Sequence, residues 1–362
     1  MDPLRYDPLR KFSFQMPERS DPYQVRTLPF RAGDGLLCSL MQVRGMREPS
    51  KGPVLLVHGA GVRANIFRPP GERNIVDCLI EDGYDVWLEN WRASIDLPPN
   101  PWTLDQAAVF DHPEAVKRVV AETGCDRVKA IVHCQGSTSF FLSAIAGLTP
   151  QVTTIVSNAV SLHPVVPRLS VFKLRYGVRT FRYLADYMNP QWGLHAPTAA
   201  AKLIDLVVRL THHECDNAVC KHVSFTYGAG FPSLWLHENL SAETHEWIKQ
   251  EFAACSIAFF LQMERSVRAG RLLPVEGHKE LPRDILAAPP QTDARVALFA
   301  GEVNQCFLPD SQIRTFQYLD SLRKNFHSLH VLPGYSHLDV FLGKNAARDV
   351  FPAMIAELNK SA

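Results

Sequence analysis

No stretch of the 362-residue sequence reaches roughly 18 consecutive apolar residues, the length a membrane-spanning helix needs. Excess charge is missing too. Lys and Arg number 38 against 37 Asp and Glu, a net charge of +1, so no basic face for nucleic acid or acidic lipid is expected. The opening residues, MDPLRYDPLRKF, lack the apolar centre of a signal peptide. The eight cysteines follow no framework spacing, and Cys38, Cys78 and Cys255 sit in apolar runs. That distribution argues against a secreted disulfide scaffold and for free thiols in a reducing cytoplasm. There is no internal repeat, no low-complexity segment and no G-x-G-x-x-G dinucleotide fingerprint, so no cofactor is expected. What is present is a chain that is 46% hydrophobic and longer than one typical domain, enough to bury a large core.

Residues 1–22 are rich in Pro, Arg and Asp without a period and read as an arm over the surface. Residues 24–30 and 36–43 are two β-like runs around Arg31-Ala32-Gly33-Asp34-Gly35, a hairpin signal. Strands follow at 53–57, 84–88, 128–132 and 152–160, the first and third of them apolar runs, with helical patterns at 74–82 and 105–122 between them. This alternation predicts a parallel sheet covered on both faces. Residues 161–290 break the rhythm with aromatics, prolines and helical patterns such as 199–210 and 242–252, and read as an inserted helical cap. Strands and helices resume with 295–300, 311–324, 327–332 and 344–358. The domain reading is therefore a core of 23–160 and 291–362 with a cap of 161–290.

The most informative stretch is 128–139, VKAIVHCQGSTS. A buried strand leads without a linker into the turn His133-Cys134-Gln135-Gly136-Ser137, and an apolar helix begins from Thr138. Strand, tight turn and helix form the setting of a nucleophile elbow, usually G-x-S-x-G; here Cys134 holds the nucleophile place and Val132 and Gly136 the flanking ones. A buried structural thiol is the bland alternative.

In an α/β-hydrolase the nucleophile is followed in sequence by an acid and then a histidine. His337 stands after the last strand and before the last helix, where that histidine belongs. After the penultimate strand comes Gly301-Glu302-Val303-Asn304, with Asn304 where an Asp is expected and Glu302 as the alternative acid. An amide cannot balance an imidazolium, but it can fix the tautomer of the ring, and Cys-His-Asn is a known triad variant. Main-chain N–H groups of Ala60, in His58-Gly59-Ala60, and of Gln135 are placed to form an oxyanion hole.

Several of these blocks resemble the acid-lipase branch of the α/β-hydrolases, the gastric and lysosomal type. They are Val57-His58-Gly59, Gly83-Tyr84-Asp85-Val86-Trp87-Leu88-Glu89-Asn90, Cys134-Gln135-Gly136-Ser137 and His337-Leu338-Asp339-Val340-Phe341-Leu342-Gly343 followed by Ala346. The resemblance implies an α/β-hydrolase fold, a mostly parallel sheet flanked by helices with a helical cap inserted after the sixth strand. It also implies that Cys134 and Asn304 replace the Ser and Asp of that family. Asn90-Trp91-Arg92 and the elbow cysteine look similar to polyhydroxyalkanoate synthases, which take acyl groups from thioesters. Cys220-Lys221-His222, Phe225 to Gly228, His237 to Leu240, Thr244-His245 and Asn304-Gln305-Cys306-Phe307-Leu308-Pro309 resemble the hydrolase-like domain attached to cholesterol-oxidase-type flavoproteins.

His212-His213-Glu214-Cys215 and Cys220-Lys221-His222 invite a zinc reading, but no standard spacing is present and no metal is expected. The expectation is a cytoplasmic, cysteine-dependent acyl hydrolase or acyltransferase. Its substrate would be an apolar ester or thioester, with water or an acceptor amine or alcohol completing the reaction, and cap aromatics such as Phe172, Tyr176, Phe231 and Trp235 suit such a substrate. The competing expectation is a binding module that has kept the elbow and lost the chemistry.

Overall fold

A computed structural model describes residues 23–71, 73–160, 162–228 and 234–360. Residues 1–22, read as an arm, and Phe231, read as a cap aromatic, fall outside them. An eight-stranded sheet runs in the order β1-β2-β4-β3-β5-β6-β9-β10. β1 (Gln24–Arg31) and β2 (Leu37–Arg44) form the expected hairpin, closed where Gly35 takes φ 90° and donates its N–H to Ala32 at 2.8 Å. β2 lies antiparallel on β4 (Asp85–Asn90). From there β3 (Pro53–Val57), β5 (Val128–His133), β6 (Val152–Asn158), β9 (Arg295–Gly301) and β10 (Ser328–Leu332) pair in parallel. Every residue of β3, β4 and β9 is buried, and β3 accordingly reads as an unbroken apolar run in sequence.

Parallel pairing aligns the strand ends. The segments leaving β3, β5, β9 and β10 all emerge at the carboxyl edge of the sheet, where open α/β sheets place their sites. Helices cover both faces. Among them α1 (Ile75–Glu81) starts on an Asn74–Asp77 capping box, and α2 (His112–Thr123) stops at Gly124 with φ 68°. α3 (Cys134–Ile145) follows β5, and almost its whole length is buried.

Between β6 and β9 the described residues are mainly helical. They include α4 (Ala199–Thr211), α5 (Ala218–Tyr227), α6 (Ala242–Trp247) and α7 (Ile257–Ala269). A two-stranded antiparallel ribbon, β7 (Tyr187–Met188) and β8 (Cys255–Ser256), ties this segment together. After β9 come α8 (Asp310–Leu322), β10 and the closing α9 (Phe351–Asn359). No helix among the described residues is long and apolar enough to cross a membrane.

Three of the boundaries that differ from the sequence reading have a local cause. The fifth strand runs to His133 and α3 begins at Cys134 itself, so there is no five-residue turn. β6 ends at Asn158 because Ala159 turns to φ 61°. The closing helix is broken at Val350, with φ −119°, since Pro352 has no N–H to continue the ladder.

Candidate active site

Cys134 is one of three described residues other than glycine with positive φ, at 54°. Such a conformation costs a side-chain-bearing residue of order 1–3 kcal/mol and persists only where the surroundings enforce it. Here a buried strand on one side and a buried helix on the other enforce it. A Cβ on Gly136 would lie 2.1 Å from the His58 carbonyl oxygen, so only glycine lets α3 cross the end of β3 this closely. A Cβ on Gly59 would meet the Cys134 Cβ at 2.9 Å.

The loop leaving β3 is held from behind. His58 Nδ1 donates to the Gly59 carbonyl at 2.7 Å, and Trp91 Nε1 donates to the His58 carbonyl at 2.9 Å. The Asn90 side-chain oxygen accepts from the Ala64 N–H at 2.8 Å. In a trans peptide the C=O and N–H point oppositely, so pinning the Gly59 carbonyl directs the Ala60 N–H the other way, toward Cys134. Main-chain N–H groups of Gln135 and Ala60 face the Cys134 sulfur and favour its thiolate. Burial outweighs them and pushes the thiol up to about 12.

His337 is buried beside this sulfur. A ring nitrogen of His133, a ring nitrogen of His337 and the Cys134 sulfur lie within 4.8 Å of one another. Burial lowers His337 to about 3, and its Nε2 makes no hydrogen bond. Nδ1 meets Asn304 Nδ2 at 3.1 Å. The Asn304 side-chain oxygen is already committed, accepting from the Cys306 N–H at 2.9 Å and the Phe307 N–H at 3.1 Å. Flipping the amide would set its NH2 against two main-chain donors, so the amide nitrogen must face the ring. Nδ1 is therefore the acceptor, and the neutral ring carries its proton on Nε2. The sequence reading had Asn304 orienting His337 and fixing its tautomer; in this geometry the tautomer it favours carries the proton on Nε2. Glu302, the alternative acid, is exposed, and its carboxylate meets the Gly334 N–H at 3.3 Å instead of the ring.

Asn158 and Asp339 support the site and carried no role in the sequence reading. Asn158, opposite His133 in the β5–β6 register, donates from one amide to His133 Nδ1 at 2.9 Å and to the His337 carbonyl at 3.0 Å. Asp339 anchors the His337 loop, accepting from the Ser336 N–H at 2.7 Å, the Leu236 N–H at 3.1 Å and Asn239 Nδ2 at 2.8 Å. Burial raises its carboxyl to about 6. The sequence signals for these were slight: an Asn at a strand end, and an Asp two places beyond the histidine. His112 also bridges Glu89, at 3.0 Å, and Ser139, at 2.7 Å, in a set resembling a Ser-His-Glu triad. All three side chains are fully buried, and Ser139 donates to the Gln135 carbonyl at 2.9 Å, so the set braces the elbow.

A cavity of about 270 Å³ opens from Cys134 and Gln135 into the helical segment, walled by Val178, Phe181, Met188, Phe259, Phe260 and Met263. Lys173 supplies a polar point in this wall, its amine held by the carbonyls of Phe225 and Gly228 and lowered to about 8 by burial.

No family model matches the chain. Its sequence is 21% identical over 331 residues to human lipase member K, covering 85% of this chain and 80% of that protein. It is 22% identical over 341 residues to rat gastric triacylglycerol lipase, covering 84% and 79%. Similarity to sterol esterase 2 of Saccharomyces cerevisiae is 26% over 131 residues, and the chain spans only 24% of that protein's length. Among solved structures, a monoglyceride lipase from Saccharomyces cerevisiae superposes with TM-score 0.57 at 15% identity, covering 94% of this chain and 96% of that one. A thermophilic esterase from Thermogutta terrifontis gives 0.56 at 14%, covering 92% and 98%. The chain thus has the α/β-hydrolase fold, and the sequence similarity that spans most of it is to lipases.

Proposed function

We propose that this protein is a carboxylic ester or thioester hydrolase in which Cys134 forms a covalent acyl-enzyme. The observation that carries this reading is the elbow: a cysteine held at φ 54° whose sulfur meets two convergent main-chain N–H groups at the end of an apolar cavity. The similarity to lipases and esterases supports ester chemistry. An apolar wall suits an apolar acyl group, and thioesters are favoured because a thiolate leaves readily.

In the first step Cys134 Sγ bonds to the acyl carbon while the carbonyl oxygen, now negative, moves into the N–H groups of Ala60 and Gln135. The thiol proton passes to Nε2 of those rings that hold their own proton on Nδ1. Asn304 keeps that fraction small, so thiol deprotonation limits the rate. Collapse breaks the bond to the leaving alkoxide or thiolate, which takes the proton from Nε2. Water, or an acceptor amine or alcohol, then attacks the thioacyl-enzyme and releases Cys134. All eight cysteines are unpaired, which suits a reducing compartment such as the cytoplasm.

Incubation with acyl thioesters and p-nitrophenyl esters of increasing chain length tests this reading. Acylation of the Cys134 peptide by mass spectrometry, with turnover lost in Cys134→Ala, is the expected result. Turnover that survives Cys134→Ala overturns it. The polarity of the Asn304–His337 bond favours a second reading, a binding module without turnover; tight binding of an apolar acyl compound with no acylation at any pH would select it.

A further inference from the structure

A second group of reactive side chains, none of them part of the Cys134 site, converges within the helical segment. Cys215 lies in the loop after α4, Cys220 on the first turn of α5, His237 in a short turn of helix, His237–Asn239, and His245 on α6. One ligand atom from each lies within 4.8 Å of all the others. Cys220 Sγ stands 3.3 Å from His237 Nε2, and the two imidazole rings are 4.7 Å apart and nearly perpendicular, at 74°. His245 Nε2 is buried without a hydrogen bond, and neither thiol is in a disulfide.

Two thiols and two imidazoles are the donor set of a closed tetrahedral zinc site. Zn–S bonds of about 2.3 Å and Zn–N bonds of about 2.0 Å place such ligands roughly 3.3–3.8 Å apart. From separations within 4.8 Å, each pair needs to draw in by at most about 1.5 Å. Neighbouring groups already orient them. The Asn217 oxygen accepts from the Cys220 N–H at 3.0 Å, and its NH2 donates to the His245 carbonyl at 2.6 Å. Spacing hid the set. His213 and His222, adjacent in sequence, are engaged elsewhere: His213 Nε2 with the Leu210 carbonyl, and His222 with Asp205 at 3.0 Å. The imidazoles that do converge come from beyond α5.

The segment bearing His237 also holds the loop of His337. Leu338 N–H donates to the Leu234 carbonyl at 2.7 Å, Asn239 donates to Asp339 and to the Gly334 carbonyl, and Lys344 N–H donates to the Asn239 carbonyl at 2.8 Å. We propose that Cys215, Cys220, His237 and His245 bind one structural zinc ion, which clamps the α4–α5 connection to the segment that positions the His337 loop. Binding releases the two thiol protons and leaves no open coordination position, so this ion takes no substrate.

The protein purified from zinc-supplemented medium should hold about one zinc per chain by elemental analysis. Removal by chelator should lower Tm by several degrees, and zinc should restore it. Cobalt(II) put in its place should give the visible bands of a tetrahedral, thiolate-ligated site. Zinc content should fall in His245→Ala and in Cys220→Ser but persist in Cys134→Ala. Because the chelator experiment uses the wild-type chain, it decides the question even if those two variants fail to fold. Absence of zinc from the reduced protein with no uptake of either metal, a Cys215–Cys220 disulfide in its place, or zinc lost in Cys134→Ala would each overturn the proposal. None of these readouts depends on whether Cys134 is a nucleophile.

Discussion

The amide nitrogen of Asn304 faces Nδ1 of His337 at 3.1 Å, because the amide oxygen is held by the N–H groups of Cys306 and Phe307. One amide thereby sets which ring nitrogen bears the proton. A carboxylate in the same place would accept the same two main-chain bonds and leave its second oxygen to accept from Nδ1–H.

Asn304→Asp should therefore raise hydrolysis. In a serine triad the reverse change costs about 10⁴-fold through the wrong tautomer, and a thiol, being more acidic, depends less on the base. We expect kcat/KM on p-nitrophenyl esters to rise by about 10²-fold or more, with the fold unchanged. An unaltered or lower rate would discard the tautomer account.

Cys134 and His337 should both be neutral in the resting protein, since burial puts the thiol near 12 and the imidazole near 3. Alkylation of Cys134 by iodoacetamide, followed by peptide mapping, should then accelerate about tenfold per pH unit from pH 6 to 10, tracking the thiolate. A plateau starting below pH 7 would reveal a thiolate–imidazolium pair and contradict this.

His58 is fully buried and lowered by burial from 6.5 to about 3. An unfolded chain binds a proton there near pH 6.5 and the folded chain does not until near pH 3. Its contribution to stability is thus present above pH 6.5 and lost as pH falls toward 3. The difference in Tm between wild type and His58→Gln should shrink or reverse in that window. A difference that stays constant from pH 7 to 4 would show that His58 is protonated when folded.

Gly136→Ala should destabilise by about 1–3 kcal/mol, the usual cost of forcing extra volume into a packed site. It should also lower turnover, since relief requires the His58 carbonyl and the loop that carries Ala60 to move. Urea unfolding measures the first effect and ester hydrolysis the second. Gly177→Ala serves as the control, its Cβ meeting nothing within 4 Å.

Much of the layout was legible from local pattern. The strand at 53–57 read correctly because burial on both faces removes polar residues from the run itself, and that at 128–132 because only Lys129 interrupts its apolar run. The elbow and the late histidine were recognisable because this fold fixes their order along the chain. The break at Val350 was missed although Pro352 marks it, since an apolar helical period continues across it. The role of Asp339 is not legible in the sequence, because its partners Leu236 and Asn239 come from a segment about a hundred residues earlier.

The sequence by itself determined the alternation of strands and helices, the sharp turn at Cys134 and the candidates Asn304 and His337. Those features rest on periodicity, glycine placement and chain order, which are local or sequential. Only the tertiary structure decided which face of the Asn304 amide meets the ring, that Glu302 stays outside, and that Cys215 and Cys220 meet His237 and His245. Hydrogen-bond polarity and ligand convergence depend on the positions of atoms brought together from distant segments, and spacing along a chain does not encode them.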